Sequence, residues 1–167
     1  GLNDGLVEIL GAVSGFFGAF GSARLVLIAA LTTAVAGALS MAAGSFLALN
    51  SEKEVKTTEI ARKVFLGEES DVTPMEESPL GSAVVVGVAY ITGALVPVLP
   101  VLVGAKDALF SVFTAGLMVI LVSTILSFLS GMDIKRRIVL NLVIITVAVS
   151  VSYAIGLAAK NFWGISI

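Results

Sequence analysis

The stretch that decides the fold class is Gly1-Leu-Asn-Asp-Gly-Leu-Val-Glu-Ile-Leu-Gly-Ala-Val-Ser-Gly-Phe-Phe-Gly-Ala-Phe20. It is apolar and rich in glycine, yet it carries Asp4 and Glu8 one helical turn apart near its start. A carboxylate in a segment that enters a bilayer costs about 2.5–3.5 kcal/mol on insertion scales. Two carboxylates on one helix face cost more, because like charges repel. We therefore expect the pair to face protein, water or a cation, as an ion or proton site does.

The composition of the whole chain indicates an all-α integral membrane protein. Hydrophobic residues make up 57% and charged residues 13%, whereas soluble domains have about 45–50% and about 25%. The mean hydropathy is +1.07. A membrane-spanning helix needs about 20 residues, so the 167 residues suffice for several spans. The excess of acid over base in the polar stretch argues against nucleic acid as a partner.

The chain contains no cysteine and no histidine, which limits its chemistry. Disulfides, thiolate metal sites and cysteine nucleophiles are excluded, and so is the commonest general base. A metal would have to bind carboxylates, methionine sulfur, amide or hydroxyl oxygens, or backbone carbonyls. An intramembrane enzyme is disfavoured, because two carboxylates alone could build only a protease-like dyad. We expect no permanently bound cofactor.

Apolar runs predict five transmembrane helices, with a polar insert between the second and the third. The predicted spans are residues 2–20, 25–49, 80–103, 108–131 and 138–159. This pattern divides the chain into spans one and two (1–50), a short acidic insert (51–79) and spans three to five (80–167). Pro97 and Pro100 lie inside the third span and are expected to kink it.

The distribution of basic residues predicts that the N-terminus lies inside and the C-terminus outside. Seven bases fall in the segments that would face the cytoplasm, namely Lys53, Lys56, Arg62, Lys63, Lys135, Arg136 and Arg137. Three fall on the other side, namely Arg24, Lys106 and Lys160. Cytoplasmic loops carry an excess of Lys and Arg. Asp4 would then lie at the cytoplasmic end of span one, with Glu8 about 6 Å deeper by the rise of the helix.

The insert contains eight of the twelve acidic residues of the chain. Residues 51–65 have the pattern of a helix that continues from span two, and Gly67 is expected to end it. An acidic stretch at the cytoplasmic mouth can collect cations, although a solvated charged linker has the same composition. The candidate metal-collecting residues are Glu52, Glu59, Glu68, Glu69, Met75, Glu76 and Glu77.

Met41 lies midway along span two, among small residues that leave its sulfur accessible. A thioether is a soft, neutral ligand, and it can favour Fe(II) over Mg(II) or Ca(II) without adding charge to the membrane. A methionine in a span is also common core filler. Gly11 and Gly15, and likewise Gly37 and Gly44, form small-residue faces that let helices pack closely, either within one bundle or between two protomers.

Three motifs resemble the vacuolar iron transporter family. They are Asp4-Gly5-Leu6-Val7, then Ala36-Gly37-Ala38-Leu39-Ser40-Met41-Ala42-Ala43-Gly44, and Ser78-Pro79-Leu80-Gly81-Ser82 leading to Gly93-Ala94-Leu95-Val96-Pro97-Val98-Leu99-Pro100. With the five predicted spans, the resemblance covers nearly the whole chain. The chain resembles a prokaryotic member of the family in which the usual cytoplasmic metal-binding domain is shortened to residues 51–79.

The resemblance implies a homodimer of five-helix protomers in the cell membrane. Such a dimer would export Fe(II), and also Mn(II), from the cytoplasm against protons, along a pathway between the protomers. Asp4 and Met41 match the acid and the methionine that the family uses. The metal is then cargo, and the partners are the lipid bilayer, a second copy, divalent ions and protons.

Two departures from the family pattern concern its acidic residues. Thr33 stands where some members have an acid eight residues before the methionine, and Glu8 stands where many have a small or polar residue. Glu8 is therefore expected to supply the missing carboxylate and to carry the proton.

A second interpretation of the chain stays open beside transport. Some prokaryotic members carry a ferritin-like domain before the first span, and a start at Gly1 would suit its removal. The alternative function is accordingly a non-transporting membrane anchor or dimerisation domain for such an iron-storage domain.

Overall fold

The computed structural model describes residues 1–67, 77–131 and 133–164. Five helices make up the fold in these ranges, and the same ranges contain no strand. The helices are α1 (Leu2–Ala19), α2 (Ala23–Leu66), α3 (Pro79–Leu102), α4 (Leu109–Ser130) and α5 (Ile134–Trp163). The predicted all-α class and the five helical blocks are confirmed.

Helix α1 lies at the centre of the bundle and contacts each of the other four helices. Glycines permit the closest approaches. A Cβ atom on Gly5 would overlap the carbonyl oxygen of Tyr90 in α3, and one on Gly156 of α5 would overlap the carbonyl oxygen of Gly15. Gly11 also faces α5, at Ser152. The glycines of α1 thus serve packing inside the protomer, which is one of the two interpretations that the sequence allowed.

Two clusters of buried side chains share α1 as their common wall. One joins α1, α2 and α3 and consists of Ile9, Val13, Val26, Ala30, Ala34, Ala38, Tyr90, Ala94, Val98 and Val101. The other joins α1, α4 and α5 and consists of Leu6, Leu10, Ala115, Val119 and Ile145. The residues of α1 therefore alternate between two cores, and the stripe that faces neither core holds Asp4 and Glu8, which are both exposed.

The outer surface of the bundle is apolar. Ile28, Val85, Phe113 and Val151 are each more than half exposed, on four different helices. Such a surface requires lipid rather than water. Four helices, α2 to α5, are long and apolar enough to cross a membrane. Helix α1, with 18 residues and two acids, is not among them, so its crossing stays a prediction.

Helix α2 has 44 residues and extends far beyond a bilayer. At 1.5 Å per residue it is about 66 Å long, whereas the hydrocarbon core is about 30 Å thick. The predicted helix over 51–65 is confirmed as its continuous second half. Gly67 ends it in the left-handed conformation, with φ of 69°, as the sequence predicted. We call residues 51–66 the projecting half of α2.

In the described part of the chain, side-chain hydrogen bonds join α4 to α3 and α5 to α4. The Ser111 hydroxyl donates to the carbonyl oxygen of Pro97 at 2.8 Å, beside the two prolines that interrupt the hydrogen bonding of α3. The side-chain amide of Asn141 donates to the Ser123 hydroxyl at 2.9 Å. Hydrogen bonds of this kind join neighbouring helices where no water is present.

Candidate functional site

The two acids of α1 lie on its exposed stripe, as their spacing predicts. Gly5, Leu6 and Ile9, which alternate with them along the helix, are all buried. The Asp4 side chain is 59% exposed, and its carboxylate lies 3.3 Å from the amino group of Gly1. Within the described residues, no Lys or Arg side chain forms an ion pair with either acid. The two negative charges therefore lack a basic side chain to neutralise them.

Tyr90 of α3 interacts with both acids of this stripe, and the sequence did not single it out. It is fully buried, and its hydroxyl lies near enough to the Glu8 carboxylate to interact with it electrostatically. The hydroxyl nevertheless has no hydrogen bond of ordinary geometry within the described residues. A buried hydroxyl without a partner is uncommon in folded proteins, so this group is a candidate for function.

Gly37 of α2 makes room for the phenol of Tyr90. A Cβ atom at position 37 would overlap the Tyr90 hydroxyl. Met41 lies one turn further along α2, is half-buried, and packs against the same buried cluster as Tyr90. Glu8, Gly37 and Tyr90 thus lie together where three helices meet, and Met41 lies one turn from Gly37 against the same core. We call these four residues the α1–α2–α3 corner, and Asp4 lies one turn away along α1.

The donor atoms at and beside the corner suit a borderline divalent cation. Two carboxylates supply charge and oxygen, and the thioether supplies a soft sulfur. The described residues contain no group of three or more acids that could hold a metal by themselves. Selectivity at this site would therefore depend on the neutral donor, Met41, as much as on charge.

Thr33, where the family resemblance led us to expect an acid in some members, is half-buried here. Its hydroxyl donates to the carbonyl oxygen of Ala29, one turn earlier in α2, at 2.8 Å. The threonine is thus satisfied within its own helix, and Glu8 is the carboxylate that lies beside Tyr90.

The acids of the projecting half of α2 are in a different environment. Glu52 pairs with Lys56 at 2.8 Å, and Glu59 pairs with Lys63 at 3.8 Å. Both glutamates are exposed, and the paired lysine partly neutralises the charge of each. Glu77 is exposed. The other candidates of the insert, Glu68, Glu69, Met75 and Glu76, lie outside the described residues.

The sequence contains one partial indication that Tyr90 is functional. Tyr90 is one of two tyrosines, and it lies in an otherwise apolar span. A hydroxyl in a span needs a partner or a function. Which helix it faces depends on the rotation of α3 about its axis, and the close packing of Gly93 against Leu2 of α1 sets that rotation.

Comparison with known proteins adds a family and several relatives. A family model described as the VIT family matches residues 1–66 and 62–157. Vacuolar iron transporter homolog 1 of Oryza sativa subsp. japonica is 34% identical over 102 residues, which are 59% of this chain and 44% of that protein. VIT-like transporter 1a of Glycine max is 32% identical over 106 residues, 59% of this chain and 52% of that protein. The matched stretch spans about half the length of these relatives.

Proposed function

The chain belongs to the VIT family, and on that premise we propose that it is a membrane transporter that exchanges divalent metal ions for protons. The cargo is Fe(II), with Mn(II) as a second substrate, and the direction is out of the cytoplasm. The names of the relatives support iron as cargo. The chemistry of the α1–α2–α3 corner supports a borderline divalent ion independently of those names.

One observation carries the proposal. Asp4 and Glu8 are exposed on the central helix, whereas α2 to α5 expose mainly apolar side chains along their predicted spans, and no Lys or Arg of the described chain pairs with the two acids. A carboxylate that is removed from water needs a neutralising partner, which a cation or a proton can supply. A divalent cation that binds both displaces the proton, which is the coupling that an antiporter needs.

Three residues have separate roles in this proposal. Asp4, at the start of α1, receives the ion, and Glu8 binds it one turn deeper and releases a proton. Met41 contributes sulfur from α2 and so favours Fe(II) over Mg(II) or Ca(II). The acids of the projecting half of α2 raise the local cation concentration at the cytoplasmic mouth without a fixed site.

A second copy of the chain completes the pathway. The exposed stripe of α1 is open on the surface of one protomer, and a Cβ atom on Gly44 of α2 would meet no other atom within 4 Å. A homodimer that places two such stripes face to face shields four carboxylates from lipid. The basic residues favour an orientation with the N-terminus inside, and the membrane proposed is the cell membrane.

Transport by purified protein in lipid vesicles tests the proposal. Vesicles loaded with a dye that is quenched by Fe(II), and with a pH indicator, should show Fe(II) uptake together with opposing proton movement. Met41→Leu should weaken the preference for Fe(II) over Mg(II). Met118→Leu is the matched control, because Met118 is half-buried against the other core cluster, on α4.

The outcome that contradicts transport is equally concrete. If wild-type vesicles contain dimeric, folded protein and yet take up neither Fe(II) nor Mn(II), the chain is a membrane anchor. Its attachment to an iron-storage domain would then be the function to test.

A further inference from the structure

The Tyr90 hydroxyl has a feature that close packing does not explain. The ring is 0% exposed. The hydroxyl lies against Gly37 of α2 and interacts with Glu8, yet within the described residues it has no hydrogen bond of ordinary geometry. A phenylalanine would fill the same space with no polar atom to satisfy. Burial of this hydroxyl without a hydrogen bond therefore costs folding free energy. A hydrogen-bond acceptor near it would explain why the residue is tyrosine.

Glu8 is the group that this hydroxyl can reach. The phenol crosses from α3 towards α2, and the Glu8 carboxylate of α1 approaches it. Asp4, one turn away on α1, is the other charged group that acts on the phenol. Glutamate has three rotatable side-chain bonds, so the Glu8 carboxylate can adjust its position towards the phenol.

We propose that Tyr90 is a positioning residue for Glu8. Its O–H donates to the Glu8 carboxylate and holds that group towards α2, on the side of Met41, so that an arriving cation meets oxygen and sulfur together. The proposal rests on the proposed metal site, and it assigns to Tyr90 no charge and no proton of the transport cycle. Glu8 remains the group that binds metal and carries the proton.

Gly37 is part of the same arrangement, because it leaves space for the Tyr90 phenol. Any side chain at position 37 would displace the phenol from the gap between α1 and α2. The absence of a Cβ atom keeps the hydroxyl within reach of Glu8. Gly37→Ala should therefore reproduce the loss of Tyr90 function without changing the tyrosine itself.

A double-mutant cycle on Mn(II) binding tests the inference in solubilised protein. The apparent dissociation constant is measured for the wild type, Tyr90→Phe, Glu8→Gln and the double variant. Removing a group that orients a metal ligand typically weakens affinity about 10–100-fold, so we expect Tyr90→Phe to weaken binding about 10-fold. In the Glu8→Gln background the same change should have no further effect, since Tyr90 acts through Glu8.

Three results would overturn the proposal. They are equal weakening by Tyr90→Phe in both backgrounds, unchanged affinity in the single variant, and a wild type that binds no Mn(II). If the wild type binds Mn(II) and the cycle shows coupling while vesicles remain silent, the transport proposal fails and the positioning role stands.

Control variants separate positioning from packing. Tyr153→Phe removes the hydroxyl of the other tyrosine, on α5, and should leave Mn(II) affinity unchanged. Gly37→Ala should weaken it about as much as Tyr90→Phe does. Gly116→Ala adds the same methyl group to α4 where no atom lies within 4 Å, and it should have no effect. Equal effects of the two glycine variants would assign the loss to helix packing instead.

Discussion

The α1–α2–α3 corner and the projecting half of α2 both present glutamates, but the two regions treat them differently. On the projecting half, Glu52 and Glu59 each have a lysine four residues later, and each forms an exposed ion pair with it. At the corner, Glu8 has an unpartnered phenol for a neighbour and no Lys or Arg of the described chain as a partner. The environment of a carboxylate, rather than its presence, distinguishes a site from a solvated surface.

The two regions should differ most in how strongly removal of their acids lowers the rate of Fe(II) uptake. Asp4→Asn with Glu8→Gln should reduce the initial rate of Fe(II) uptake by about 100-fold or more, because both charged ligands are lost. Glu52→Gln with Glu59→Gln should change it less than about threefold, since exposed ion pairs contribute about 0.2–1 kcal/mol. Stopped-flow uptake into dye-loaded vesicles measures both.

Equal losses in the two double variants would show that the projecting half binds metal directly. Circular dichroism of each variant checks that α2 remains helical, because the paired lysines lose their partners in the second case.

Tolerance to an added side chain should also differ between the α1–α3 contact beside the corner and the projecting half of α2. Gly5→Val places atoms against the backbone of Tyr90, where even a Cβ atom overlaps a carbonyl oxygen. Overpacking of this kind costs about 1–3 kcal/mol, and the thermal midpoint of the solubilised protein should fall by several degrees. Ala61→Val, on the exposed projecting half, should change stability by only about 0.5 kcal/mol. A Gly5→Val protein as stable as the wild type would show that α1 and α3 can separate at this point.

The sequence predicts the projecting half better than the corner, for a physical reason. A continuous helix that ends at Gly67 follows from local pattern, and the Glu–Lys spacing of four residues predicts the ion pairs as well. The contact of Tyr90 with Gly37 and Glu8 depends on how three helices are rotated and spaced, which no local pattern states. Asp4, Glu8 and Met41 could be selected by their chemistry in a span, but the placement of Tyr90 beside Glu8 and Gly37 could not.

The smallest expected effect on transport comes from removing the lysines that pair with the glutamates of the projecting half. Lys56→Ala with Lys63→Ala removes the basic partners of Glu52 and Glu59 and leaves two free carboxylates on one helix face, seven residues apart. Each lost exposed pair costs the helix about 0.3–0.5 kcal/mol. The freed charge should lower the Fe(II) concentration for half-maximal uptake by less than about twofold at low salt, with no change in the maximal rate.

The salt dependence of uptake shows why the lysine variant needs less Fe(II) for half-maximal uptake. Exposed charges are screened over about 8 Å at physiological ionic strength, so raising the salt concentration should abolish the advantage of the lysine variant if the projecting half only concentrates cations. A gain that persists in high salt, or a change in the maximal rate, would instead mean that the freed carboxylates form a specific site. The difference between the two regions would then be one of lysine content alone, and the corner would lose its distinction as the place where metal is bound.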